Sequence, residues 1–381
     1  MFRWPSTVDA SPILSRNKFV STPQARRSLA AELVLHLREY GFARVRNHGV
    51  ALTTIKGLFQ CHRHFFDLPL PAKLSVRHPG GESPARGYSP WAYEKTAILR
   101  PDLHTVPNLS SNSSPSHHAN IVGDTTRSPP STLLDAREQF AIGPPSDNEF
   151  PTPQLAEEIL PGFNAATKMA YLEIRNTCRR LVDTIEEGLG APTSSIIGPT
   201  AGGQGAELNL NFYPEVERNV LEGDAGMQAC DEVHGGDVTM RRIWPHSDLG
   251  VVSALFQDGV GATGLELQVR GSLGGKFAPL SIEEEGDIVL LVSDTLERWT
   301  NGYLRAAVHR VGLPSIAPSS NRMSRSGLER VPERRSAVMF FRAPPTANLG
   351  PLPYFVSAQN PAKYEHMTAG EYLKNHNKRL Y

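Results

Sequence analysis

Three residues in the second half of the chain have the types and spacing of a mononuclear metal site. His246 and Asp248 lie two positions apart in a stretch whose pattern predicts a β-strand, so their side chains point to the same face. His309 lies on another predicted strand. Two imidazoles and one carboxylate form a facial triad, which can bind Fe(II) and leave positions open for a bidentate co-substrate and dioxygen. Because a His-x-Asp pair often arises by chance, this interpretation depends on the residues that accompany it.

A second set of residues has the chemistry of a carboxylate-binding pocket. Arg334 and Ser336 lie two positions apart on a predicted strand, where a guanidinium and a hydroxyl on one face can hold a carboxylate by charge-assisted hydrogen bonds. The stretch that ends at Tyr213 alternates apolar side chains on one face with Asn209, Asn211 and Tyr213 on the other. If the apolar face packs on a core, the polar face lines a pocket.

Helices are predicted mainly in the first half of the chain. A capping sequence at residues 21–24 and a stop at Gly41 bound the first helix, and further helices are predicted at residues 53–66, 162–187 and 369–377. The helix at 162–187 has apolar residues on or near one stripe, namely Met169, Leu172, Ile174, Leu181 and Ile185. The helix at 53–66 contains His62 and His64, which point apart on a helix, so we predict no metal site there.

The second half has the texture of a β-structure. Short apolar or alternating runs separated by Gly, Asp and Pro predict strands at residues 207–213, 251–256, 265–269, 288–292, 306–311 and 336–341, with an earlier strand at 42–45. Many short strands with turn signals favour a sandwich or barrel. Residues 104–133 are rich in Ser, Pro and Asn without periodicity, which predicts a mobile insertion, either a linker or a lid over a substrate.

Composition excludes several other classes of protein. Lys+Arg and Asp+Glu both number 39 in 381 residues, so no basic field attracts nucleic acid. No run of about 18 apolar residues predicts a membrane span. Residues 1–19 have no apolar segment of a signal peptide, and three distant cysteines, Cys61, Cys178 and Cys230, indicate a reducing compartment. We therefore expect a cytoplasmic protein without nucleic-acid or membrane partners.

Several motifs, in order along most of the chain, resemble the 2-oxoglutarate/Fe(II)-dependent dioxygenase superfamily, in the branch that includes isopenicillin N synthase. The first half has Tyr-Gly-Phe at 40–42, Asn-His-Gly-Val at 47–50, Phe-Phe-Asp-Leu-Pro at 65–69 and the stretch 137–143. The second half has His-Ser-Asp-Leu-Gly at 246–250, Gly-Leu-Glu-Leu-Gln at 264–268, Glu-Arg-Trp-Thr-Asn-Gly at 297–302, His-Arg-Val at 309–311 and Arg-Arg-Ser at 334–336.

The resemblance implies a fold and a division of the chain. The expected class is α+β, with a distorted double-stranded β-helix (a jelly roll) wrapped by N-terminal helices and the iron at one mouth of the roll. Residues 1–200 would form the mostly helical N-terminal region that carries the insertion at about 104–133. Residues 201–381 would form the jelly-roll core and a C-terminal helix.

The resemblance also implies the site and its cofactors. The residues that would bind Fe(II) are His246, Asp248 and His309. Those that would bind 2-oxoglutarate are Arg334 and Ser336, at its distal carboxylate, with Asn211 and Tyr213 near it. Dioxygen is the oxidant, and ascorbate is a candidate reductant. The substrate would be a small organic molecule, in secondary metabolism, that is hydroxylated, desaturated or cyclised by a monomeric enzyme.

The chain departs from the family pattern between the second histidine of the triad and Arg334. The intervening stretch 314–332 is longer than usual and rich in Ser and Arg, so we expect a surface loop there. Because of this length, Arg335 is a neighbouring candidate for the carboxylate anchor, and Arg342 is a distant one. Phe212 also replaces the middle tyrosine of the family's Asn-Tyr-Tyr-Pro stretch.

Two alternative functions stay open on the sequence. The first is an oxidase of the same fold that uses no 2-oxoglutarate, in which the Arg-x-Ser pair holds a substrate carboxylate. The Asn-Phe-Tyr-Pro stretch favours 2-oxoglutarate instead. The second is a catalytically inactive binding module, which an intact triad argues against because a module without chemistry needs no metal ligands.

Overall fold

The computed structural model describes residues 3–14, 22–103, 133–200, 205–221, 239–261, 263–272, 275–314 and 329–380. The predicted insertion at residues 104–133 lies outside these ranges, apart from Leu133. Most of the stretch 314–332 lies outside them too. Every helix within the described ranges is too short or too polar to cross a lipid bilayer.

Eight α-helices occur in the described part of the chain. They are α1 (Ser11–Leu14), α2 (Pro23–Tyr40), α3 (Leu52–Phe66), α4 (Leu70–Leu74), α5 (Phe163–Gly188), α6 (Ile197–Thr200), α7 (Asp294–Trp299) and α8 (Ala369–Leu380). Short 3-10 helices span Thr96–Leu99, Pro101–Leu103, Arg218–Val220 and Pro353–Phe355. The N-cap of α2 is Thr22, whose hydroxyl accepts the Ala25 N–H, and not the preceding serine that the capping pattern at residues 21–24 indicates. Gly41 ends the helix at the predicted stop, with φ +84°.

The strands form two main sheets. The larger has the order β1 (Val8–Asp9), β2 (Phe42–Arg46), β13 (Ile288–Val292), β10 (Val252–Gln257), β16 (Arg334–Phe341), β6 (Glu207–Tyr213), β5 (Glu138–Ile142) and β3 (Gly87–Ser89). The smaller has the order β12 (Phe277–Pro279), β11 (Leu265–Gln268), β14 (His309–Val311) and β9 (Ile243–His246). Two further pairs are β15 (Arg330–Val331) with β7 (Val216–Glu217), and β4 (Leu133–Asp135) with β8 (Thr239–Arg241).

This arrangement is the expected α+β fold with a distorted double-stranded β-helix. All neighbours in the larger sheet pair antiparallel except β1 and β2. Helices α2, α3 and α5 pack together and share one continuous core with the larger sheet. Strands β1, β2, β3 and β5, from residues 1–200, belong to the same sheet as β6, β10 and β16.

The buried face of α5 differs in part from the prediction. Ile174, Leu181 and Ile185 are buried as expected, but Met169 is 70% exposed and Leu172 is 39% exposed. The buried residues follow the spacing 163, 167, 170, 174, 178, 181 and 185, which keeps one face towards the core. Met169 comes one position before Ala170 and is turned from it by about 100° around the helix axis, away from the side on which Tyr171 and Val182 widen the buried face, so Met169 faces solvent.

Two expected features near the site also differ. The strand predicted at 306–311 is only His309–Val311, because the chain before it crosses between the sheets: the Ala307 N–H bonds to Val292 O, and the Gln268 N–H bonds to Val308 O. The stretch 314–332 is not entirely a surface loop. Val331 is 1% exposed and pairs with Val216 in the two-stranded sheet of β15 and β7.

The contact between α2 and α5 gives a test of the helical packing. A Cβ at Gly188 would overlap the carbonyl oxygen of Ala30, whereas a Cβ at Gly57 in α3 has no neighbour within 4 Å. We expect Gly188→Ala to lower the free energy of unfolding by about 1–3 kcal/mol through overpacking. Gly57→Ala is the matched control and should be neutral or more stable by about 0.5–1 kcal/mol. Urea denaturation measures both, and equal stability of the two variants would contradict this packing.

His62 gives a test of pH dependence. The residue is fully buried beside Phe66, its Nε2 bonds to Asn211 O at 3.0 Å, and burial lowers its pKa to about 3. The folded state therefore keeps a neutral imidazole that the unfolded chain protonates below about pH 6.5. Stability from this group is present above that pH and is lost as the pH falls towards 3.

The expected loss between pH 7.5 and pH 5.5 is about 1 kcal/mol of unfolding free energy. Replacing His62 by Leu should remove this part of the acid dependence, even if it changes stability at pH 7.5. His64→Leu, at an exposed position of the same helix, is the control and should keep it. An unaltered acid dependence in His62→Leu would contradict the buried neutral imidazole.

Candidate metal centre and co-substrate pocket

His246, Asp248 and His309 lie together at one end of the smaller sheet. His246 ends β9 and lies directly opposite His309, the first residue of β14, while Asp248 follows β9 by two residues. Asp248 Oδ1 is 3.5 Å from His246 Nε2 and 3.9 Å from His309 Nε2. One ligand atom from each residue lies within 4.8 Å of the others, and each residue is 6% exposed. Within the described residues, this is the only such group of three or more potential ligands.

Backbone carbonyls orient both imidazoles. His246 Nδ1 is 2.8 Å from Trp244 O, and His309 Nδ1 is 3.0 Å from Ala307 O. Since a carbonyl oxygen only accepts hydrogen bonds, each Nδ1 carries the hydrogen and each Nε2 presents its lone pair to the centre of the triad. Burial, and then the neighbouring His246, lower the pKa of His309 to about 4, so the imidazole is neutral and able to bind a metal at pH 7.

The carboxylate of Asp248 fits a bound cation. Burial opposes its ionisation, but the nearby His309 and His246 hold its pKa well below the usual range. Its Oδ2 atom is buried and has no hydrogen-bond partner. A buried carboxylate oxygen without a partner is costly, and a metal ion at the centre of the triad would satisfy it.

Arg334 and Ser336 lie on β16, in the larger sheet, opposite Tyr213 and Asn211 of β6. Arg334 is 4% exposed, and it donates to Ser336 Oγ at 3.0 Å and to Thr263 Oγ1 at 3.2 Å. Its second terminal nitrogen is buried without a partner. In the part of the chain that is described, no carboxylate pairs with Arg334, and burial lowers its pKa. The pocket therefore carries a cation with a free donor, which suits an anionic ligand.

The two alternative arginines have carboxylate partners of their own. Arg335 points to the opposite face of β16, where it forms an ion pair with Glu333 and lies over the ring of Phe212. Arg342 pairs with Glu207 at 3.0 Å. Neither side chain needs a further anion to balance its charge.

Asn211 and Tyr213 have different surroundings. The Asn211 side-chain oxygen accepts a hydrogen bond from Arg137 at 3.0 Å. Two guanidinium groups lie over the Tyr213 ring, with Arg334 at 5.0 Å and Arg242 at 5.9 Å from its centroid.

Arg242 is a second buried cation that sequence reasoning missed. It is 2% exposed, and burial, and then the charge of Arg334, lower its pKa to about 10. It lies at a bend between β8 (Thr239–Arg241) and β9 (Ile243–His246). The alternation of β9 therefore does not reach Arg242, and its burial follows only from the tertiary fold.

A cavity of about 60 Å³ lies beside the metal centre. His246 and Asp248 form one wall, and the others include the polar residues Glu94, Thr96, Arg137, Gln139 and Asn209. A second cavity, of about 290 Å³, shares Leu249 and Arg342 with it and extends towards α8. Besides the triad residues and Arg342, the sequence indicates only Asn209 of the polar lining, through the alternation of β6.

Two family models match the chain. Residues 8–161 match the model described as non-haem dioxygenase in morphine synthesis N-terminal, and residues 208–342 match that of the 2OG-Fe(II) oxygenase superfamily. A 2-oxoglutarate-dependent dioxygenase of Aspergillus flavus, imqE, is 34% identical, with 93% of this chain and 90% of that protein covered. Another from Penicillium fellutanum, phqC, is 33% identical, with 99% and 94% covered.

A solved structure shows the same fold. The full-length T7H of Neurospora crassa, in complex with alpha-KG, has a TM-score of 0.73 at 22% identity, with 97% of this chain and 95% of that chain covered. Together with the triad, the matches to both family models and to full-length relatives decide the class of enzyme. The chain belongs to the 2OG-Fe(II) oxygenase superfamily and is an iron(II)- and 2-oxoglutarate-dependent dioxygenase that oxidises a small molecule.

Proposed function

We propose that His246, Asp248 and His309 bind the iron, and that Arg334 and Ser336 bind the distal carboxylate of 2-oxoglutarate. The observation that carries this assignment is a pair of unsatisfied buried atoms, Asp248 Oδ2 and the terminal nitrogen of Arg334. One needs a cation and the other needs an anion. A metal ion chelated by a diacid supplies both charges.

Asn211 and Tyr213 complete the co-substrate pocket in this proposal. The Arg334 guanidinium lies over the ring of Tyr213, so Tyr213 helps to fix the direction of the guanidinium. Asn211 lies opposite Ser336 and connects the pocket to Arg137. The two residues therefore act on the co-substrate mainly by positioning the groups around it.

The chemistry comes from the bound groups, while the protein provides orientation and exclusion of water. When bound, iron(II) and 2-oxoglutarate activate dioxygen: one oxygen atom enters succinate as carbon dioxide is lost, and the other oxidises the substrate. The Nδ1–H bonds to Trp244 O and Ala307 O hold the Nε2 lone pairs in place. Burial of the triad keeps bulk water away from the reacting atoms.

We further propose that the substrate is a small organic molecule of secondary metabolism. The likeness to the fungal dioxygenases imqE and phqC along nearly the whole chain supports this. Hydroxylation, desaturation and ring closure start from the same oxidant, so product analysis must distinguish them. A monomer in the cytoplasm stays our prediction, and the unpaired Cys61 and Cys178 support a reducing compartment.

Anaerobic binding tests the proposed site. Protein mixed with Fe(II) and 2-oxoglutarate should develop the weak visible charge-transfer band of a chelated keto acid. Succinate used in place of 2-oxoglutarate should give no such band. The band should disappear in Asp248→Ala and should need more 2-oxoglutarate in Arg334→Lys. A protein that binds iron well but never forms the band would support the inactive binding module or the oxidase that needs no 2-oxoglutarate.

A further inference from the structure

A cluster of polar side chains lies on the inner face of the larger sheet, in the cavity beside the triad. Gln139, on β5, lies opposite Asn211 of β6, and Asn209 is on the same face of β6. Glu94 and Arg137 complete the cluster. Gln139 is 2% exposed, Asn209 is 4% exposed and Glu94 is 3% exposed. Buried side-chain polar atoms normally have at least one hydrogen-bond partner.

The contacts of Glu94 fix the orientation of the Gln139 amide. Gln139 Nε2 donates to Glu94 Oε1 at 2.9 Å, while Arg137 donates to the other oxygen of Glu94. A carboxylate paired with a guanidinium has only acceptors, so the amide NH2 must face Glu94. The amide oxygen, Gln139 Oε1, must therefore point the other way, and it is buried without a partner.

Asn209 presents a second unsatisfied acceptor. Its Oδ1 atom is buried and has no hydrogen-bond partner. Both amides line the cavity that His246 and Asp248 also line. Two unpaired acceptors beside the metal centre need donors from a ligand, because leaving them unpaired after water is displaced costs the full desolvation of each group.

The other charges of the cavity wall cancel. Glu94 pairs with Arg137, and Glu207 pairs with Arg342 at 3.0 Å. A ligand with a net charge would find no free counter-ion in this part of the wall, and burial of an unpaired charge is expensive. The ligand that fits is therefore uncharged.

The size of the cavity limits what enters it. A volume of about 60 Å³ is available, and a water-sized group needs roughly 10–15 Å³ on the same measure. The inner cavity thus holds about four to six non-hydrogen atoms, which is one small ring or the end of a larger molecule. A larger molecule could continue past Leu249 and Arg342 into the cavity of about 290 Å³.

We propose that Gln139 and Asn209 bind the substrate by accepting hydrogen bonds from an uncharged N–H or O–H donor. The substrate class is a neutral lactam, amide or alcohol whose donor lies on the small ring or terminus that is oxidised. Glu94 acts as a positioning residue, since it turns the acceptor of Gln139 towards the ligand. This inference rests on the proposed function, because it places the oxidised carbon next to the triad.

Matched small probes test the inference on the zinc and 2-oxoglutarate complex, since zinc is redox-inert and permits ligand-observed NMR. The donors are 2-pyrrolidinone and cyclopentanol, their counterparts of equal size without a donor are γ-butyrolactone and cyclopentanone, and butyrate is the anion. We expect at least one donor to bind about 10- to 100-fold more tightly than its counterpart. The pair that shows this preference identifies the donor as N–H or O–H. Butyrate should not compete with it.

Variants assign the preference to a residue. Gln139→Met keeps length but lacks the acceptor, so it should abolish the preference, and Asn209→Leu should weaken it. Gln60→Leu, at an exposed position of α3, is the matched control and should keep it. Equal binding of donors and counterparts, no binding by either donor, tighter binding of butyrate, or a preference unchanged in Gln139→Met would each overturn the inference. If the NMR experiment shows no binding of 2-oxoglutarate itself to the zinc-loaded protein, the proposed function would be overturned instead.

Discussion

Replacing His309 by Ala is expected to abolish turnover and to weaken iron binding by about 100-fold or more. Loss of an outer partner of a metal ligand alone typically costs about 10- to 100-fold, so loss of the ligand itself should cost at least as much. His309 contributes one of the two Nε2 atoms that face Asp248, and no other described histidine belongs to the group. Asp248→Ala should have the same effect, because it removes the only anionic ligand.

The measurements are iron content after desalting and turnover with added Fe(II). The fold should persist, since the triad lies at the end of the smaller sheet, and circular dichroism checks this. His64→Ala, which removes an exposed histidine of α3 that is not a proposed ligand, is the control and should match wild type. Wild-type turnover and iron content in His309→Ala would show that the metal lies elsewhere. Purified samples can contain zinc or cobalt, because the affinities of such sites do not favour iron.

Replacing Arg334 by Lys is expected to raise the KM for 2-oxoglutarate by about 10- to 100-fold, equivalent to about 1.5–3 kcal/mol. Lysine keeps the charge but loses the planar fork. In the wild type, one nitrogen donates to Ser336 and another to Thr263, which leaves a third buried without a partner for the proposed ligand. A lysine ammonium cannot satisfy these three directions from the same position, so its remaining contact with the carboxylate should be weaker.

Arg335→Lys is the matched control for this change. Arg335 is the next residue on the strand, but it points to the opposite face and pairs with Glu333. Its variant should leave the KM for 2-oxoglutarate unchanged. An unchanged KM in Arg334→Lys together with a large increase in Arg335→Lys would move the anchor by one residue. Iron should bind to the Arg334→Lys and Arg335→Lys variants at the same rate.

Strand alternation explains why the sequence predicts the central residues of the site. His246 and Asp248 are separated by one residue, and so are Arg334 and Ser336, so one period-2 rule brings each pair to one face. The register of β16 on β6 then brings Ser336 opposite Asn211. Resemblance to the superfamily connects the two pairs across two different sheets, which alternation alone cannot do.

The cavity residues could not be predicted in the same way. Glu94 lies just before a short 3-10 helix and meets Gln139 only through the tertiary fold, and nothing in its local sequence indicates burial. The exposure of Met169 shows a similar limit, because a helical stripe is defined only to within one position until its partner is known. The short β14 reflects a crossing between sheets, which depends on contacts with Val292 and Gln268.

The most direct test of the whole account is the fate of 2-oxoglutarate. Purified protein with Fe(II), dioxygen, ascorbate and a true substrate should convert 2-oxoglutarate into succinate and carbon dioxide, about one per product molecule. Without a substrate, slow uncoupled decarboxylation should still occur, and it should vanish in Asp248→Ala. Succinate formation at the rate of product formation is the predicted result. Product formation at full rate without 2-oxoglutarate, or decarboxylation that persists in Asp248→Ala, would contradict the account.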